Sequence, residues 1–476
     1  MSSNVGQKAL EEFKQRFAED PLSFLEFPDE VVFSVDPADL DEMRLSLAGE
    51  QFAKGKAGIG MVGRMAAQNE ISEIHHFNDL LPLCYNQETY KGYPQAWLES
   101  GDFQRMTKWL SKLCAADLSG VDASSCELIE DWIRVLKEQS DVDLMMSAGS
   151  EGKASFLPRT RQEWGVMMRI TYAGFTNRKG PNGESIALRP GLDKVPLVYP
   201  GARRGARSWR FMDFYEEKFG EGTVDAPLGY VDADLVSLAG RIREASRKGE
   251  AGSLQINPKL LERKADVARS NAELPGQFIG LMDRMINKYR GERIIFYGSM
   301  KIVYSLAQQF KAKGIKGAYS PDSFIMCGGG FDGQEPPLNW KAEVIDALGL
   351  YERQLRVGYG MQEGLWAMHA CDHDKYHVPP TIIPFVLDEE TDEPLPRKGR
   401  QTGRYAFFDL LPITSWGGYI TSDQVSMTFD EPCACGRKGA YIETTISKVV
   451  SRTDDKIGCA GTSSAVEEAS DFLLKA

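Results

Sequence analysis

Apolar positions fall at helical spacing early in the chain. Strong helix formers with recurrent apolar residues predict a helix over 5–17, and over 40–61 apolar and charged residues alternate ahead of a glycine-rich stretch. Leu128, Ile129, Trp132, Ile133 and Leu136 give a further helix one buried face, with Ser124 or Ser125 as its candidate N-cap. The apolar run 142–146 reads as a buried strand and is followed by the polar loop Ser147-Ala148-Gly149-Ser150-Glu151-Gly152-Lys153-Ala154-Ser155. Thr160 and Glu163 have capping-box spacing ahead of Trp164, Val166, Met167 and Ile170, which places a helix start near Thr160.

Over 176–270 no period holds. The segments GPNGES, YPGARRGARSW and RKGEAGS mark loops between short apolar stretches, so the region reads as a decorated insertion or part of an active-site wall, or else as a small subdomain of irregular strands. From Phe278 the alternation is clear: a helix to Tyr289, a strand over 293–297, a helix over 300–313 closed by Gly314, a strand over 323–327, a helix over 340–348 closed by Gly349, and a strand over 355–357. Such alternation predicts an α/β fold with a parallel or mixed sheet, whose ligand loops at the carboxyl ends of the strands are Gly328-Gly329-Gly330 and Tyr359-Gly360-Met361-Gln362-Glu363. The β-like pieces 381–387, 404–408, 425–429 and 441–446, joined by turns, predict a second and more antiparallel subdomain. The resulting division is a helical scaffold over 1–140, an α/β nucleotide- and acid-binding core over 141–370 with the insertion at 176–270, a β-rich subdomain over 371–455, and a short tail over 456–476.

Composition narrows the function classes. A chain of 476 residues with 42% hydrophobic and 26% charged residues is an ordinary soluble enzyme in make-up, large enough for a sizeable core. No window reaches the roughly 18 apolar residues of a membrane span, and the start MSSNVGQKALEEF lacks the layout of a secretory signal, so a cytoplasmic location is expected. A net charge of -12 argues against a general nucleic-acid binder. The 8 cysteines are dispersed, which fits free thiols in a reducing compartment, but Cys433 and Cys435 lie close together and require their own account.

The loop from Ser147 to Ser155 combines small residues, hydroxyls and one lysine after a strand. Its backbone N–H groups suit phosphate oxygens and Lys153 suits the charge of a polyphosphate, although the first glycine of a Walker A motif is missing and the loop taken alone favours a plain surface turn. Glu363, in a loop after an apolar strand, suits magnesium held against ATP phosphates, or is an ordinary solvated glutamate. Asp423 in Thr421-Ser422-Asp423 suits ribose hydroxyls, and Arg452 adds charge from a later loop.

In their order along the chain these segments resemble the adenylate-forming enzymes, in particular the branch of the phenylacetate-CoA ligases and the acyl-protein synthetase of bacterial bioluminescence. Ser147-Ala148-Gly149-Ser150-Glu151-Gly152-Lys153 is similar to the SGTTG-type phosphate loop, and Ser155 with Pro158-Arg159 to its continuation in the acyl-protein synthetases. Tyr359-Gly360-Met361-Gln362-Glu363 resembles the YGxTE segment, in which tyrosine borders adenine and glutamate serves magnesium. The likeness continues through Pro379-Pro380, Asp388, Gly403 and Asp409-Leu410 to the ribose aspartate at Asp423, then to Cys435-Gly436-Arg437 and Ser451-Arg452-Thr453-Asp454-Asp455, similar to CGR and GRxDD. Gln362 departs from the usual threonine, Ser451 from the usual glycine, and Ser147-Ala148 loosens the first loop.

The resemblance implies a large domain of mixed sheets with a β-rich subdomain, and, since little chain follows Asp455, a mobile C-terminal domain that is absent or vestigial. It implies ATP and Mg2+ as cofactors, Lys153, Glu363 and Arg452 as catalytic residues, and Ser147, Gly149, Ser150, Gly152, Tyr359, Gly360 and Asp423 as nucleotide-binding residues. The expected reaction converts a small-molecule carboxylic acid, aryl or fatty, to its acyl-adenylate and passes the acyl group to a thiol, carrier protein, partner enzyme or amine. A degenerate adenylate-binding or scaffold protein is the alternative. Cys459 in Gly458-Cys459-Ala460-Gly461 is a candidate acyl acceptor, because the acyl-protein synthetases use a cysteine near their C-terminus, or else an ordinary free cysteine.

Cys371, His377, Cys433 and Cys435 form a candidate Cys3His set for structural zinc (Zn2+). Cys371-x5-His377 precedes the β-like section that Cys433 and Cys435 close, so an ion would tie its start to its end. The Cys433-Ala434-Cys435 spacing is tighter than a usual knuckle and by itself favours a turn; His369 and His373 are alternative ligands, while His75 and His76 fit surface or packing roles.

Overall fold

The computed structural model describes residues 6–147, 153–176, 179–205, 210–250, 254–331 and 335–449, together with 469, 472 and 473. The first helix runs Gln7–Glu19 and buries Phe13 and Phe17. The long helix Pro37–Gly58 starts at Asp36, whose side chain accepts from the Ala38 N–H. Two of its residues reach the β-rich part of the chain. The buried Arg44 donates to the Pro379 and Pro380 carbonyls at 2.9 and 2.8 Å, and Gln51 donates to the Leu410 and Pro412 carbonyls at 2.6 and 2.9 Å. Gly55 permits the crossing, since a Cβ there would lie 2.6 Å from the Trp416 ring.

The helix Ile129–Gln139 forms as its apolar spacing predicts, but its cap does not come from Ser124 or Ser125. Ser124 is held in a turn by Asp122, and the helix N-terminus is satisfied by Asp131 from within and by Asp234, which accepts from the Ile129 and Glu130 N–H groups. A carboxylate a hundred positions away thus takes the place of the local serine.

Among the described residues sixteen strands follow in order: β1 (Met145–Ser147), β2 (Ser155–Leu157), β3 (Leu197–Val198), β4 (Ala202–Gly205), β5 (Val224–Asp225), β6 (Leu228–Val231), β7 (Ile295–Ser299), β8 (Phe324–Gly328), β9 (Leu355–Gly360), β10 (Ala367–His369), β11 (Lys375–His377), β12 (Ile382–Leu387), β13 (Arg400–Asp409), β14 (Gly418–Thr428), β15 (Tyr441–Glu443) and β16 (Ser447–Lys448). One sheet has the order β10-β9-β8-β7-β3-β5, parallel throughout except for β10. A second, antiparallel sheet has the order β11-β15-β14-β13-β12, with β16 paired to β14. The remaining pairs are β1 with β2 and β4 with β6.

Burial explains the two sheet types. β8 begins with four buried residues and is covered on both faces, as a strand of a parallel sheet must be, whereas β14 alternates buried and partly exposed positions along most of its length. The β7 and β8 crossover is the helix Met300–Ala312, capped by Ser299 on the Ile302 N–H, and the β8 to β9 crossover is Trp340–Leu348. The latter stops at Gly349 with φ 78°, where a Cβ would sit 2.6 Å from the Gly317 Cα.

The 176–270 stretch is more regular than its composition suggests. It supplies β3 and β5 to the parallel sheet and the helices Phe211–Phe219 and Ala233–Lys248 around it. Strands of two residues are too short to show a period, which is why the pattern along the chain conceals them. One apolar core joins Phe13 and Trp132 of the helical part to Ile325 of the parallel sheet and Phe407 of the antiparallel one.

Candidate functional site

The carboxyl end of β9 meets β14 at a cluster of polar residues. Tyr359, at the end of β9, has its hydroxyl 2.9 Å from Asp423 Oδ2 and donates to it. Trp366, Tyr376 and Tyr405 surround the tyrosine ring at 5.3, 5.8 and 6.1 Å, and burial drives its hydroxyl far above the ordinary tyrosine range, so it is a hydrogen-bond donor and never a phenolate. Asp423 is largely buried; its own N–H donates to Thr421 Oγ1 at 2.9 Å, and Lys448 from β16 lies 2.5 Å from Oδ1.

Glu363 sits in the turn between β9 and β10. Burial raises its carboxyl pKa, offset in part by the positive charges of Arg159 and Lys448, while Tyr419 of β14 donates a hydrogen bond to it. The turn is held from both sides. Arg159, 1% exposed, donates to the Gln362 carbonyl at 2.8 Å and to Ser415 Oγ at 2.7 Å, and Asp409 accepts from the Leu365 and Leu411 N–H groups at 2.6 and 3.0 Å.

The Thr160 and Glu163 pair forms a capping box at the start of the helix Arg161–Thr176. The Thr160 N–H donates to Glu163 Oε2 at 3.1 Å, and the Glu163 N–H to Thr160 Oγ1 at 3.3 Å. The other oxygen, Oε1, accepts from the N–H groups of Ile413, Thr414 and Ser415 at 3.0, 3.0 and 2.9 Å. A single glutamate therefore caps the helix and orders the loop that Arg159 also grips.

Lys153 occupies a different position. Its ammonium donates to the Tyr93 carbonyl and lies 4.3 Å from the centre of the Tyr93 ring, with Glu88 and Lys91 as the charged groups acting on it. Desolvation lowers its pKa. Ser147 and Ser155 pair across β1 and β2 and bring the ends of the polar loop together. Gly149, Ser150 and Gly152 within that loop, and Arg452 and Cys459 near the C-terminus, lie outside the described residues. Tyr359, Gly360, Glu363 and Asp423 are thus brought together, whereas the described contacts of Lys153 are made with Tyr93 instead.

Arg159, Glu163, Asp409, Tyr419 and Lys448 have no role in the cluster that spacing alone reveals. The capping-box spacing of Thr160 and Glu163 is a local signal, and Arg159 and Asp409 fall within stretches of the family likeness; Tyr419 and Lys448 carry no mark along the chain and act through contacts between distant segments.

A second cluster lies at the start of the antiparallel sheet. The ligand atoms of Cys371, His377, Cys433 and Cys435 all lie within 4.8 Å of one another. The Cys371 and Cys433 sulfurs are 3.9 Å apart, and Cys435 Sγ is 3.2 Å from His377 Nε2. Cys371 opens a tight hairpin, closed by the Asp374 N–H on its carbonyl with Asp374 at φ 53°, and the register of β11 on β15 sets His377 opposite Tyr441. Gly436, at φ 87°, turns the chain back so that its N–H donates to the Cys433 carbonyl at 2.9 Å. Burial pushes the His377 pKa down to about 3 and the Cys435 thiol up to about 12, so without a metal the group is neutral at both positions. The alternative histidines are placed otherwise: the His369 ring lies against the helix at Gly174, and His373 reaches Cys371 through its backbone N–H, at 3.4 Å from the sulfur.

No family model matches the chain, and no curated protein matches it. Among solved structures it is similar to an open conformation of 2-hydroxyisobutyryl-CoA ligase in complex with 2-HIB-AMP and CoA, at 13% identity and a TM-score of 0.52, over 86% of this chain and 70% of that one. The same enzyme in the postadenylation state gives a TM-score of 0.38 at 14% identity, over 76% of this chain and 66% of that one. Apo MatB from Rhodopseudomonas palustris gives 0.32 at 12% identity, over 67% and 52%. The first overlap shows that the chain shares the fold of that adenylate-forming ligase.

Proposed function

We propose that the protein activates a carboxylic acid, aryl or fatty, as an acyl-adenylate and transfers the acyl group to a thiol, a carrier protein or an amine. The observation that carries this reading is the meeting of Tyr359, Glu363 and Asp423 at the carboxyl ends of the strands, where an open α/β sheet receives its ligand. An oxygen of the substrate carboxylate attacks the α-phosphorus of ATP, the bond to the bridging oxygen breaks, and pyrophosphate leaves with the electron pair. Asp423 accepts from the ribose hydroxyls and Tyr359 borders the base, so the nucleotide is oriented before the acid arrives. Lys153, with Gly149, Ser150 and Gly152, receives the phosphates, and Arg452 adds positive charge from the last motif. Magnesium supplies Lewis-acid stabilisation of the phosphate charge when bound, and Glu363 fits it as a ligand, because a cation relieves a half-buried carboxylate whose ionised form burial disfavours.

Zinc fits the Cys371, His377, Cys433 and Cys435 cluster. Tetrahedral coordination by sulfur and imidazole places neighbouring ligand atoms about 3.5 to 3.8 Å apart, close to the 3.9 and 3.2 Å separations of the two pairs. Three thiolates and one histidine leave no open position, so the metal's part is to hold the hairpin before the antiparallel sheet against the turn after β14. The sequence likeness points to the branch of phenylacetate-CoA ligases and acyl-protein synthetases, with Cys459 as a candidate acyl acceptor.

The engagement of Lys153 by Tyr93 favours a second reading, a nucleotide-binding protein without turnover. Carboxylate-dependent exchange of pyrophosphate into ATP, measured over a panel of aromatic and fatty acids with magnesium present, separates the two. Exchange with any acid establishes adenylation; saturable ATP binding without exchange across the whole panel overturns it.

A further inference from the structure

Lys448 stands opposite Asp423 in the pairing of β16 with β14. Its Nζ lies 2.5 Å from Asp423 Oδ1 and 3.2 Å from Ser422 Oγ, and Tyr359 holds the other oxygen of the same carboxylate. The two partners differ in setting. The Lys448 side chain is 72% exposed and that of Asp423 only 11%, so the lysine reaches inward from the surface to a carboxylate that the fold has already enclosed. The ammonium stays largely in solvent while the carboxylate it meets is enclosed, so the contact bears on the orientation of Asp423 at the edge of the cluster. The charge of Lys448 also acts on Glu363, where it opposes the repulsion from Asp423. One exposed cation therefore serves both carboxylates of the cluster.

We propose that Lys448 is a positioning residue for the nucleotide, gripping Asp423 by one edge so that the remaining lone pairs of its carboxylate face the ribose hydroxyls. The proposal rests on the nucleotide reading of Asp423 given above. A carboxylate accepts about four hydrogen bonds, two at each oxygen, so Tyr359 and Lys448 leave capacity for the two ribose hydroxyls while removing freedom of rotation. Rotation of Asp423 without Lys448 costs binding energy only when hydroxyls are present to be received. The effect is therefore confined to nucleotides that carry them.

The test compares ATP with 2′,3′-dideoxy-ATP in the full-length protein, by calorimetric titration, for the wild type, K448M and K448R. Thermal unfolding of each variant checks that the exposed substitution leaves the fold intact. K448M is expected to weaken ATP about tenfold while changing dideoxy-ATP by less than about twofold, and K448R to stay within about threefold of the wild type for both. Equal weakening of the two nucleotides by K448M, the signature of a cation acting on the phosphates, overturns the proposal, as does an unchanged affinity for both. Absence of ATP binding by the folded wild type overturns the nucleotide reading and this proposal together, whereas wild-type binding with an unaltered ATP to dideoxy-ATP ratio in K448M overturns this one alone.

Discussion

The Tyr359 hydroxyl donates to Asp423 across 2.9 Å, tying the last strand of the parallel sheet to the central strand of the antiparallel one. The bond links two elements that the chain order keeps apart, and it sets a residue suited to the base beside one suited to the ribose. A phenol whose ionisation burial suppresses is a dependable donor over the whole working pH range. Tyr359→Phe removes the bond and keeps the ring packing against Trp366 and Tyr405. ATP affinity is expected to fall about five- to tenfold, about 1 to 1.4 kcal/mol and so the equivalent of one ordinary hydrogen bond, with little loss of thermal stability. Calorimetric titration alongside a melting curve checks this; a large drop in melting temperature with unchanged ATP affinity would show the bond to be structural only.

Glu363 gives a prediction with opposite signs for activity and stability. Its folded pKa lies above the unfolded value of 4.5 because burial disfavours the carboxylate. As pH rises from the unfolded toward the folded pKa, the unfolded chain releases its proton first, so the contribution of Glu363 to stability declines through that window and remains unfavourable above it. Glu363→Gln removes the titration. The variant is expected to melt higher than the wild type at neutral pH, with the difference vanishing below about pH 4.5, while carboxylate-dependent pyrophosphate exchange falls about a hundredfold or more. Melting curves from pH 4 to 8 and exchange assays at several magnesium concentrations decide it. A variant that is both less stable and fully active contradicts both halves.

Arg159 and Glu163 bind the helix that begins at Arg161 to the 413–415 loop and to the Gln362 carbonyl. Both side chains are buried, and Arg159 lowers the pKa of Glu163, which burial alone would raise. The two meet through Ser415 Oγ, and removing the guanidinium leaves Ser415 and the Gln362 carbonyl without their donor and the buried carboxylate without its nearby positive charge, at a cost of about 3 to 5 kcal/mol. Arg159→Met is therefore expected to lower stability by that amount in denaturant titration. Arg159→Lys keeps the charge but loses the fork that spans Ser415 and Gln362, so it should lose less stability and more exchange activity. Equal losses of both quantities in the two variants would remove the distinction between charge and geometry.

What could be read along the chain and what could not follow from the reach of each signal. The helix Trp340–Leu348 with its Gly349 stop and the capping box at Thr160 and Glu163 depend on residues a few positions apart, and both were legible. The N-cap of Ile129–Gln139 is hidden from local spacing because Asp234, on another helix, supplies what Ser124 and Ser125 do not. β3 and β5 escaped because two residues carry no period. At the site, Tyr359, Glu363 and Asp423 were marked by their motifs. Arg159 falls within the likeness, but its hold on the Gln362 carbonyl and the pairing that brings Lys448 to Asp423 are contacts between distant segments.

The Cys371, His377, Cys433 and Cys435 cluster yields the most direct test, because its prediction is a stoichiometry. Four soft or borderline ligand atoms within 4.8 Å of one another, drawn from the hairpin at Cys371, from β11 and from the turn after β14, have few reasons to converge without an ion. The sulfur pair at 3.9 Å is well beyond a disulfide bond, and His377 presents Nε2 to the cluster while its Nδ1 is buried without a partner. Protein purified without a histidine tag is therefore expected to carry about one zinc per chain by elemental analysis. Chelator treatment should lower its melting temperature, since a metal that closes a long loop stabilises the folded chain. Cys433→Ser and Cys435→Ser should each bind less than half as much metal and melt lower even before chelation. Pyrophosphate exchange should fall in proportion to the folded fraction, because the ion holds the scaffold and touches no reacting atom. Zinc below about one tenth per chain, in folded protein whose melting temperature ignores the chelator and both substitutions, would leave four side chains that merely pack together.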